Sequence, residues 1–366
     1  MGLVCVVSAG CGPDEPSRRG AEPRPERGAV GRAVEIGEPG YGITGMALGE
    51  GGVWVGSWDR RGGVVLRLDR RSGQPVETVR VAGGGGEVAV GAGAVWTAGE
   101  ACIGRHPDDP DVCVTEPRVS RIEPASGRVT ATIPIPLPRG VGRDTALTSG
   151  LAVGEGAVWV AIGWDPWTGE VLRIDPRTNA IAARIPTGGY VGELRLGAGS
   201  VWVLSHPEYT DETRVRGASL LRIDPATNAV AATPIREELS YLGGDLIPPV
   251  LAAGDGAVWV TSPTAAHPTR ALRVDAKSDQ AAREDLPVER FYPVAVNDDG
   301  IWFIGSTGRS ATLSRLDPRT LEQTTVTRLP IAAVRAVRDP STGSFWVASL
   351  VNRYNERAQV VQVQMR

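Results

Sequence analysis

An all-β fold made of seven copies of one four-stranded unit is predicted by two features of this 366-residue sequence. A Val-Trp phrase recurs, and four of the six spacings between its tryptophans are close to 43 residues, the other two being 63 and 57. An Arg-Ile-Asp-Pro phrase or a close variant follows most of these tryptophans. A period in the forties with four short strands is typical of a seven-bladed β-propeller. The repeated tryptophans are Trp54, Trp96, Trp159, Trp202, Trp259, Trp302 and Trp346.

The third unit shows the four strands most clearly. Residues 150–153 are small and predict the innermost strand, and a Gly-rich turn leads to a second strand over 157–162. Residues 171–175 predict the third strand, and a turn with Pro in its second position leads to an outermost strand over 180–186. Because the connections are short, we expect antiparallel pairing throughout.

Two recurring residue types are interpreted as scaffold. We expect each repeated tryptophan to lie in the second strand of its blade and to be buried against the neighbouring blade. A carboxylate opens the turn after the third strand in most units, where it can accept hydrogen bonds from the N–H groups of its own turn. These turn carboxylates are Asp69, Glu123, Asp175, Asp224, Asp275 and Asp317.

Closure of the ring is predicted from the two ends of the repeat region. The last unit ends with a run over 360–364 that matches a third strand, and no outermost strand follows it. Residues 32–37, ahead of the first unit, have the pattern of an outermost strand. We therefore expect this N-terminal strand to complete the last blade and to cover its open edge.

The N-terminal region is interpreted as a remnant of a lipoprotein signal followed by a tether. Small residues precede Cys11, as at a lipidation site, so residues 1–11 are assigned to the signal and Cys11 to lipidation. Residues 12–31 are rich in Pro, Arg and Glu and predict a flexible tether, and residues 32–366 are assigned to the propeller. The expected location is extracytoplasmic, either lipid-anchored to the bacterial cell membrane or secreted.

Composition limits the partners. The net charge is −3, and arginine recurs once per unit instead of forming a cluster, which argues against a nucleic-acid partner. No run reaches the roughly 18 apolar residues of a membrane span, so membrane contact is expected only through the lipid anchor. We expect a monomer.

Two cysteines fall in one long connection of the second unit. In an oxidising compartment Cys102 and Cys113 are expected to form a disulfide that holds this loop, the alternative being two free thiols. His106 lies between them, but a zinc site needs two further ligands at short spacing.

The unit "GAVWV…LRIDP" followed by Thr, Asn and Ile-Pro resembles the YVTN-type and virginiamycin-B-lyase-like propellers of bacteria, and propellers with pyrroloquinoline-quinone-like repeats. The resemblance covers residues 32–366 and implies the propeller fold. It does not imply one function, since such scaffolds carry unrelated activities. Two departures concern chemistry. The chain lacks the adjacent cysteine pair that stacks on a quinone, and it has three histidines where the lyases use a histidine-and-glutamate site.

All long connections are predicted to open on one face. They join the second strand to the third, or one blade to the next, and in a propeller both kinds of connection lie at the same end of the central channel. The candidates for binding on this face are Trp58, Arg60, Trp164, Asp165, Trp167, His206, Tyr209, His267, Arg353 and Tyr354. The candidates at the channel mouth are Glu87, Asp144, Tyr190, Glu193 and Tyr292.

Two classes of function follow. Non-repeated Trp and Tyr beside Arg and Asp favour a non-catalytic scaffold that binds a protein or glycan partner through this face, with no cofactor. Each of these side chains could instead serve only to pack a long loop. The alternative function is an enzyme at the channel mouth. It would be either a lyase with His206 or His267 as base, or a lactonase-like hydrolase whose divalent cation is held by Glu87, Glu193 and Asp144.

Overall fold

The fold was analysed in a computed structural model, which describes part of the chain. The described residues are 28–83, 85–105, 113–138, 146–164, 167–207, 209–211, 214–215, 217–236, 239–240, 250–254, 256–261, 269–286, 291–297, 300–307, 310–331, 333–349 and 356–365. Every regular element in these ranges is a β-strand.

The first three blades are regular four-stranded antiparallel sheets. Strands β1 (Ala29–Val30) and β2 (Val34–Ile36) precede them. Blade 1 contains β3 (Ile43–Gly49), β4 (Gly52–Asp59), β5 (Gly62–Leu68) and β6 (Pro75–Arg80). Blade 2 contains β7 (Glu87–Gly91), β8 (Ala94–Arg105), β9 (Cys113–Glu123) and β10 (Arg128–Pro134). Blade 3 contains β11 (Leu147–Gly154), β12 (Ala157–Trp164), β13 (Thr168–Asp175) and β14 (Ala180–Pro186).

The remaining four blades complete the seven that were predicted. Blade 4 contains β15 (Tyr190–Gly197), β16 (Ser200–His206), β19 (Ser219–Ile223) and β20 (Val230–Pro234). A separate sheet beside it contains β17 (Tyr209–Asp211), β18 (Arg214–Val215) and β21 (Leu239–Ser240). Blade 5 contains β22 (Val250–Gly254), β23 (Ala257–Thr261), β24 (Thr269–Asp275) and β25 (Ala281–Leu286). Blade 6 contains β26 (Phe291–Asn297), β27 (Gly300–Thr307), β28 (Ser310–Leu316) and β29 (Gln323–Leu329), and blade 7 contains β30 (Ala333–Arg338), β31 (Phe345–Ser349) and β32 (Ala358–Gln364).

The ring closes through the N-terminal strand, as the sequence predicts. In blade 7, β2 pairs with β32 from Val34 opposite Val360 to Ile36 opposite Ala358. The pairing extends further than residue 32, because Ala29 and Val30 in β1 pair with Gln364 and Val363. The innermost strands of successive blades contact one another around the ring, including β30 with β3.

The core is divided among the contacts between blades. The described residues form seven buried hydrophobic clusters, each shared by two adjacent blades. Each repeated tryptophan lies in one of these clusters and is at most 2% exposed. This confirms that the tryptophans pack against the neighbouring blade. In blades 1–4 the indole Nε1 also donates to a glycine carbonyl five residues earlier, at 3.0–3.1 Å.

The Arg-Ile-Asp-Pro phrase makes hydrogen bonds within its own blade and to the next blade. Its aspartate caps the following turn: Asp224 Oδ1 accepts from the N–H groups of Ala226 and Thr227 at 2.8 Å. Its arginine reaches the next blade, since Arg121 Nη1 donates to the Pro176 carbonyl at 2.8 Å. The guanidinium of Arg121 also lies 5.3 Å from the ring centre of Trp96. The recurrent charges therefore stabilise the scaffold.

A charged contact across the closing seam predicts a pH effect. Asp339, in the first turn of blade 7, is 5% exposed and pairs with Arg70 of blade 1. Burial raises the pKa of Asp339, but hydrogen bonds from Ser341 and Arg70 outweigh this and lower the pKa to about 2. The ionised form therefore stabilises the fold above pH 4, and this contribution disappears as the pH falls toward 2.

We expect Asp339→Asn to lower the free energy of unfolding by about 1–2 kcal/mol at pH 6, and by much less at pH 2. The measurement is urea denaturation at pH 6, 4 and 2. Asp285→Asn is the control, because Asp285 is exposed on an outer strand. An effect of Asp339→Asn that stays constant over this pH range would contradict the assignment.

Candidate functional site

The long connections open on one face of the ring, called here the loop-rich face. Antiparallel order fixes this, because the second-to-third connections and the interblade connections all leave the same end of each sheet. Blade 4 adds the most structure there. Its insertion after β16 forms β17 and β18, and β18 pairs with β21 from the connection to blade 5. Two separate connections are thus joined into one small sheet.

Several predicted loops are hairpins with longer strands. In blade 3, β12 runs to Trp164 and β13 begins at Thr168, with these two residues paired, so the connection is three residues long. In blade 2, β8 and β9 continue past the blade and include both cysteines of the predicted loop, with Arg105 paired to Cys113. The second and third strands of these blades remain paired beyond the residues that repeat from unit to unit, so the strands are longer than predicted.

Three rings from the candidates meet at the seam between blades 3 and 4. We call Trp167, Tyr190 and His206 the aromatic platform. Tyr190 and His206 are paired neighbours on β15 and β16, with ring centres 5.4 Å apart and planes at 37°. Trp167, from the hairpin of blade 3, has its ring centre 6.0 Å from that of Tyr190 and 6.4 Å from that of His206. The sequence had placed these residues in two separate groups.

Glycine makes room for the platform. Gly163 lies directly under the ring of Tyr190, where a Cβ atom would be 2.7 Å from Tyr190 Cε2. Gly189 is similarly confined, since a Cβ there would be 2.6 Å from the His206 carbonyl oxygen. Sequence reasoning missed both residues. Nothing in the sequence near Gly163 indicates that an aromatic ring 27 positions later will cover it.

Trp167 has an unusual backbone. Its φ is +48°, the left-handed region that large side chains rarely adopt. Three-residue hairpin connections often end in a left-handed residue, and that residue is usually glycine. Trp167 therefore occupies a glycine position at a backbone cost of about 1 kcal/mol. Its indole is half-buried, in contrast to the fully buried tryptophans of the repeat.

His206 is held neutral. It is 2% exposed, and burial lowers the pKa of its imidazole, although the hydrogen bond to the Pro207 carbonyl acts in the opposite direction. Nδ1 lies 3.0 Å from that carbonyl oxygen, and a carbonyl can only accept, so Nδ1 carries the proton. At neutral pH the platform therefore presents uncharged rings.

The other described candidates lie elsewhere. Trp164 is 8% exposed and packs in the core between blades 2 and 3, on the side of β12 opposite to Gly163. Trp58 is half-buried at the end of β4, and Arg60 is exposed, 4.0 Å from Glu38. The following candidates lie outside the described residues: Cys11, His106, Asp144, Asp165, His267, Arg353 and Tyr354. The side chains of Tyr209 and Tyr292 are also outside the described part.

The two described candidate acids at the channel mouth, Glu87 and Glu193, each have their own partner. Glu87 pairs with Arg335 of blade 7 at 3.1 Å, across the inner strand of blade 1. Glu193 pairs with Arg195 at 3.1 Å and accepts from the Leu251 N–H of blade 5 at 2.7 Å. Sequence reasoning missed Arg335, which lies 248 positions from Glu87. Within the described ranges, no group of three or more His, Cys, Asp and Glu side chains is placed to hold a metal ion.

The predicted disulfide is present and lies in a projecting ribbon. Cys102 and Cys113 are bonded, with Cα atoms 5.4 Å apart. The inner strand of blade 2 stops pairing at Ala98 and the outer strand at Arg118, so the rest of the β8–β9 hairpin leaves the blade as two strands. Glu100 attaches this ribbon to blade 3 by accepting from the Thr148 N–H at 2.6 Å.

We expect the double variant Cys102→Ser/Cys113→Ser to loosen the ribbon without weakening the ring. A two-stranded hairpin is marginally stable in water, so without the bond it should open separately. Amide hydrogen exchange should become faster at 100–105 and 113–117, while the thermal midpoint of the ring stays unchanged. The reduced wild type is the control. A loss of about 3 kcal/mol of global stability would show instead that the ribbon unfolds together with the ring.

Comparison of the sequence with protein-family models and with curated proteins gives no match. Comparison of the fold with solved structures gives many. A chain of Kuenenia stuttgartiensis hydrazine synthase is similar with a TM-score of 0.61 and 14% identity, over 89% of this chain and 96% of that one. BamB from Moraxella catarrhalis has a TM-score of 0.51 and 12% identity, over 92% of this chain and 99% of that one. The Dos1 propeller has a TM-score of 0.53 and 11% identity, over 88% of this chain and 78% of that one. At these identities the similarity shows that the chain has a β-propeller fold.

Proposed function

We propose that this protein is a cell-envelope propeller, lipid-anchored or secreted, that binds a partner non-catalytically through its loop-rich face. The observation that carries the proposal is the aromatic platform, where three non-repeated rings from two blades meet on that face. Aromatic side chains that remain partly exposed on a rigid scaffold are typical of recognition surfaces.

A comparison of equivalent positions supports this proposal. The repeated tryptophan is unchanged from blade to blade, but the residue four positions later differs each time. In blades 1–4 it is Trp58, Glu100, Gly163 and His206. This position lies where the second strand reaches the loop-rich face. The scaffold is therefore uniform while this rim of the ring varies, as expected for a binding side.

The attachment of the N-terminus also supports it. Because β1 pairs Ala29 with Gln364, the chain preceding β1 joins the ring on the face opposite to the loop-rich face. If Cys11 carries a lipid, the anchor is connected to that opposite face, and the loop-rich face is available to a partner. Labelling of the full upstream region with a fatty-acid analogue tests the anchor, and absence of label would contradict it. Among the described residues no helix has the length and apolar character to cross a bilayer.

The enzymatic alternative has less support. A lyase or hydrolase needs its acid, base or cation ligands to converge. Within the described part of the chain, Glu87 pairs with Arg335, Glu193 pairs with Arg195, and His206 contacts Tyr190 and Trp167. The resemblance to YVTN-type and virginiamycin-B-lyase-like propellers remains a prediction.

The test compares the two faces in partner capture from an envelope fraction by cross-linking. One variant carries Trp58→Ala and Trp167→Ala on the loop-rich face. The control carries Arg177→Ala on the opposite face, where the Arg177 side chain is 88% exposed. We expect wild type and control to capture the same partner and the double variant to lose it, with equal melting temperatures. Identical capture by all three proteins would contradict the proposal, and metal analysis with turnover of a substrate would favour the enzyme.

A further inference from the structure

We propose that the aromatic platform binds a neutral carbohydrate by stacking. This inference rests on the proposed function and deepens it by naming one site and one class of ligand. It is carried by the contact geometry of the rings and by their charge.

The ring geometry indicates a surface, not a cage. The three ring centres are 5.4–6.4 Å apart, the range in which aromatic rings touch each other directly. A cage for an organic cation needs open space between its walls, with the cation within about 6 Å of each ring centre. Rings in mutual contact leave no such space, so a ligand must lie on their outer faces. Trp167 and Tyr190 are both half-buried and so retain exposed surface.

The electrostatics of this surface favour a neutral sugar. The face of an aromatic ring is weakly negative, so it attracts the weakly positive C–H groups on one side of a sugar ring and disfavours anions. His206 adds no positive charge, because burial lowers the pKa of its imidazole and keeps the ring neutral.

The backbone of Trp167 sets the position of its indole. A left-handed backbone costs about 1 kcal/mol for residues other than glycine, and eight other described residues in connections between strands share it. At φ +48° the turn places the indole against Tyr190 and His206 of the next blade. The turn therefore positions the indole, and the ring contacts and their charge carry the inference.

A small sheet follows the platform in the chain. Strand β17 begins three residues after His206, and its sheet with β18 and β21 stands on the same face. The chain that leaves His206 thus enters this sheet directly. The rings of Trp167 and Tyr190 come from two blades, so a ligand that extends beyond one ring, such as an oligosaccharide, can contact both.

The experiment uses two variants that keep the backbone of the turn. Trp167→Gly and Trp167→Asn both accept a positive φ, so they remove the indole and relieve the strain. We expect both to keep or raise the melting temperature and to bind at least about tenfold more weakly. Arg177→Ala, on the opposite face, is the control and should bind like wild type.

The probes are a glycan array with neutral and acidic oligosaccharides, followed by calorimetric titration of the neutral oligosaccharide that binds best. The inference is overturned if wild type binds only acidic glycans or none, or if the Trp167 variants bind as well as wild type. It is also overturned if both variants melt at clearly lower temperatures, which would assign Trp167 to packing. If no neutral glycan binds but the captured envelope partner still depends on Trp58 and Trp167, this inference fails and the proposed function stands. If both tests are negative, both fail.

Discussion

Deletion of residues 29–36 is expected to abolish the monomeric, cooperatively folding propeller. These residues form the outermost strand of blade 7, and their removal leaves β32 with a free edge. Val34 and Ile36, which are 8% and 1% exposed, would also be lost from the cluster between blades 7 and 1. An unpaired edge next to an open hydrophobic seam favours unfolding or association between chains. Size-exclusion chromatography and thermal unfolding should show oligomers or the loss of the transition.

A truncation that begins at Gly28 is the control, because it keeps the whole strand. A peptide spanning residues 28–38, added in excess, should restore the monomer by occupying the edge of β32. Point variants separate burial from pairing. Ile36→Ala should cost about 2–5 kcal/mol, whereas Glu35→Ala, on the exposed side of the same strand, should cost little. A monomer with an unchanged melting temperature after deletion of 29–36 would contradict this closure.

The fold was predictable because its determinants repeat. Trp159 and the turn at Asp175 have counterparts in other blades, so one unit indicated the strands of all. The outer strand 180–186 was predicted with the bounds that the structure shows. The N-terminal strand was predicted at residue 32, but pairing begins at Ala29, since nothing in the local pattern distinguishes Ala29 and Val30 from the tether.

The site was predictable only in part. The sequence predicts Trp167, Tyr190 and His206 on the loop-rich face, because the position of their connections fixes the face. It could not predict that they meet, since contact depends on the space above Gly163 and on the left-handed backbone at Trp167. Trp164 was predicted to lie in a loop, because the second strand of blade 3 was predicted to end at residue 162. Once β12 is known to reach residue 164, alternation along the strand places Trp164 and Gly163 on opposite sides.

Replacement of a repeated tryptophan by alanine should produce the second large loss of stability. Trp159 is 0% exposed, its Nε1 donates to the Gly154 carbonyl at 3.1 Å, and the Arg173 guanidinium lies 5.7 Å from its ring centre. Removing the indole leaves a cavity between blades 3 and 4, and the Arg173 guanidinium loses its contact with the ring. We expect Trp159→Ala to cost about 3–5 kcal/mol in urea denaturation. A cost below about 1 kcal/mol would show that the seam can close over the missing ring.

A pair of phenylalanine variants separates the hydrogen bond from the volume of the ring. Trp302 occupies the equivalent position in blade 6 and is 2% exposed, but its Nε1 has no hydrogen-bond partner among the described residues. Trp302→Phe therefore removes a buried N–H group that makes no hydrogen bond to the described residues. Trp159→Phe, in contrast, leaves the Gly154 carbonyl without its donor. We expect Trp159→Phe to cost about 1 kcal/mol more than Trp302→Phe. Equal costs would mean that packing alone determines the contribution of the repeated tryptophans, and that the recurring indole hydrogen bond has no net effect on stability.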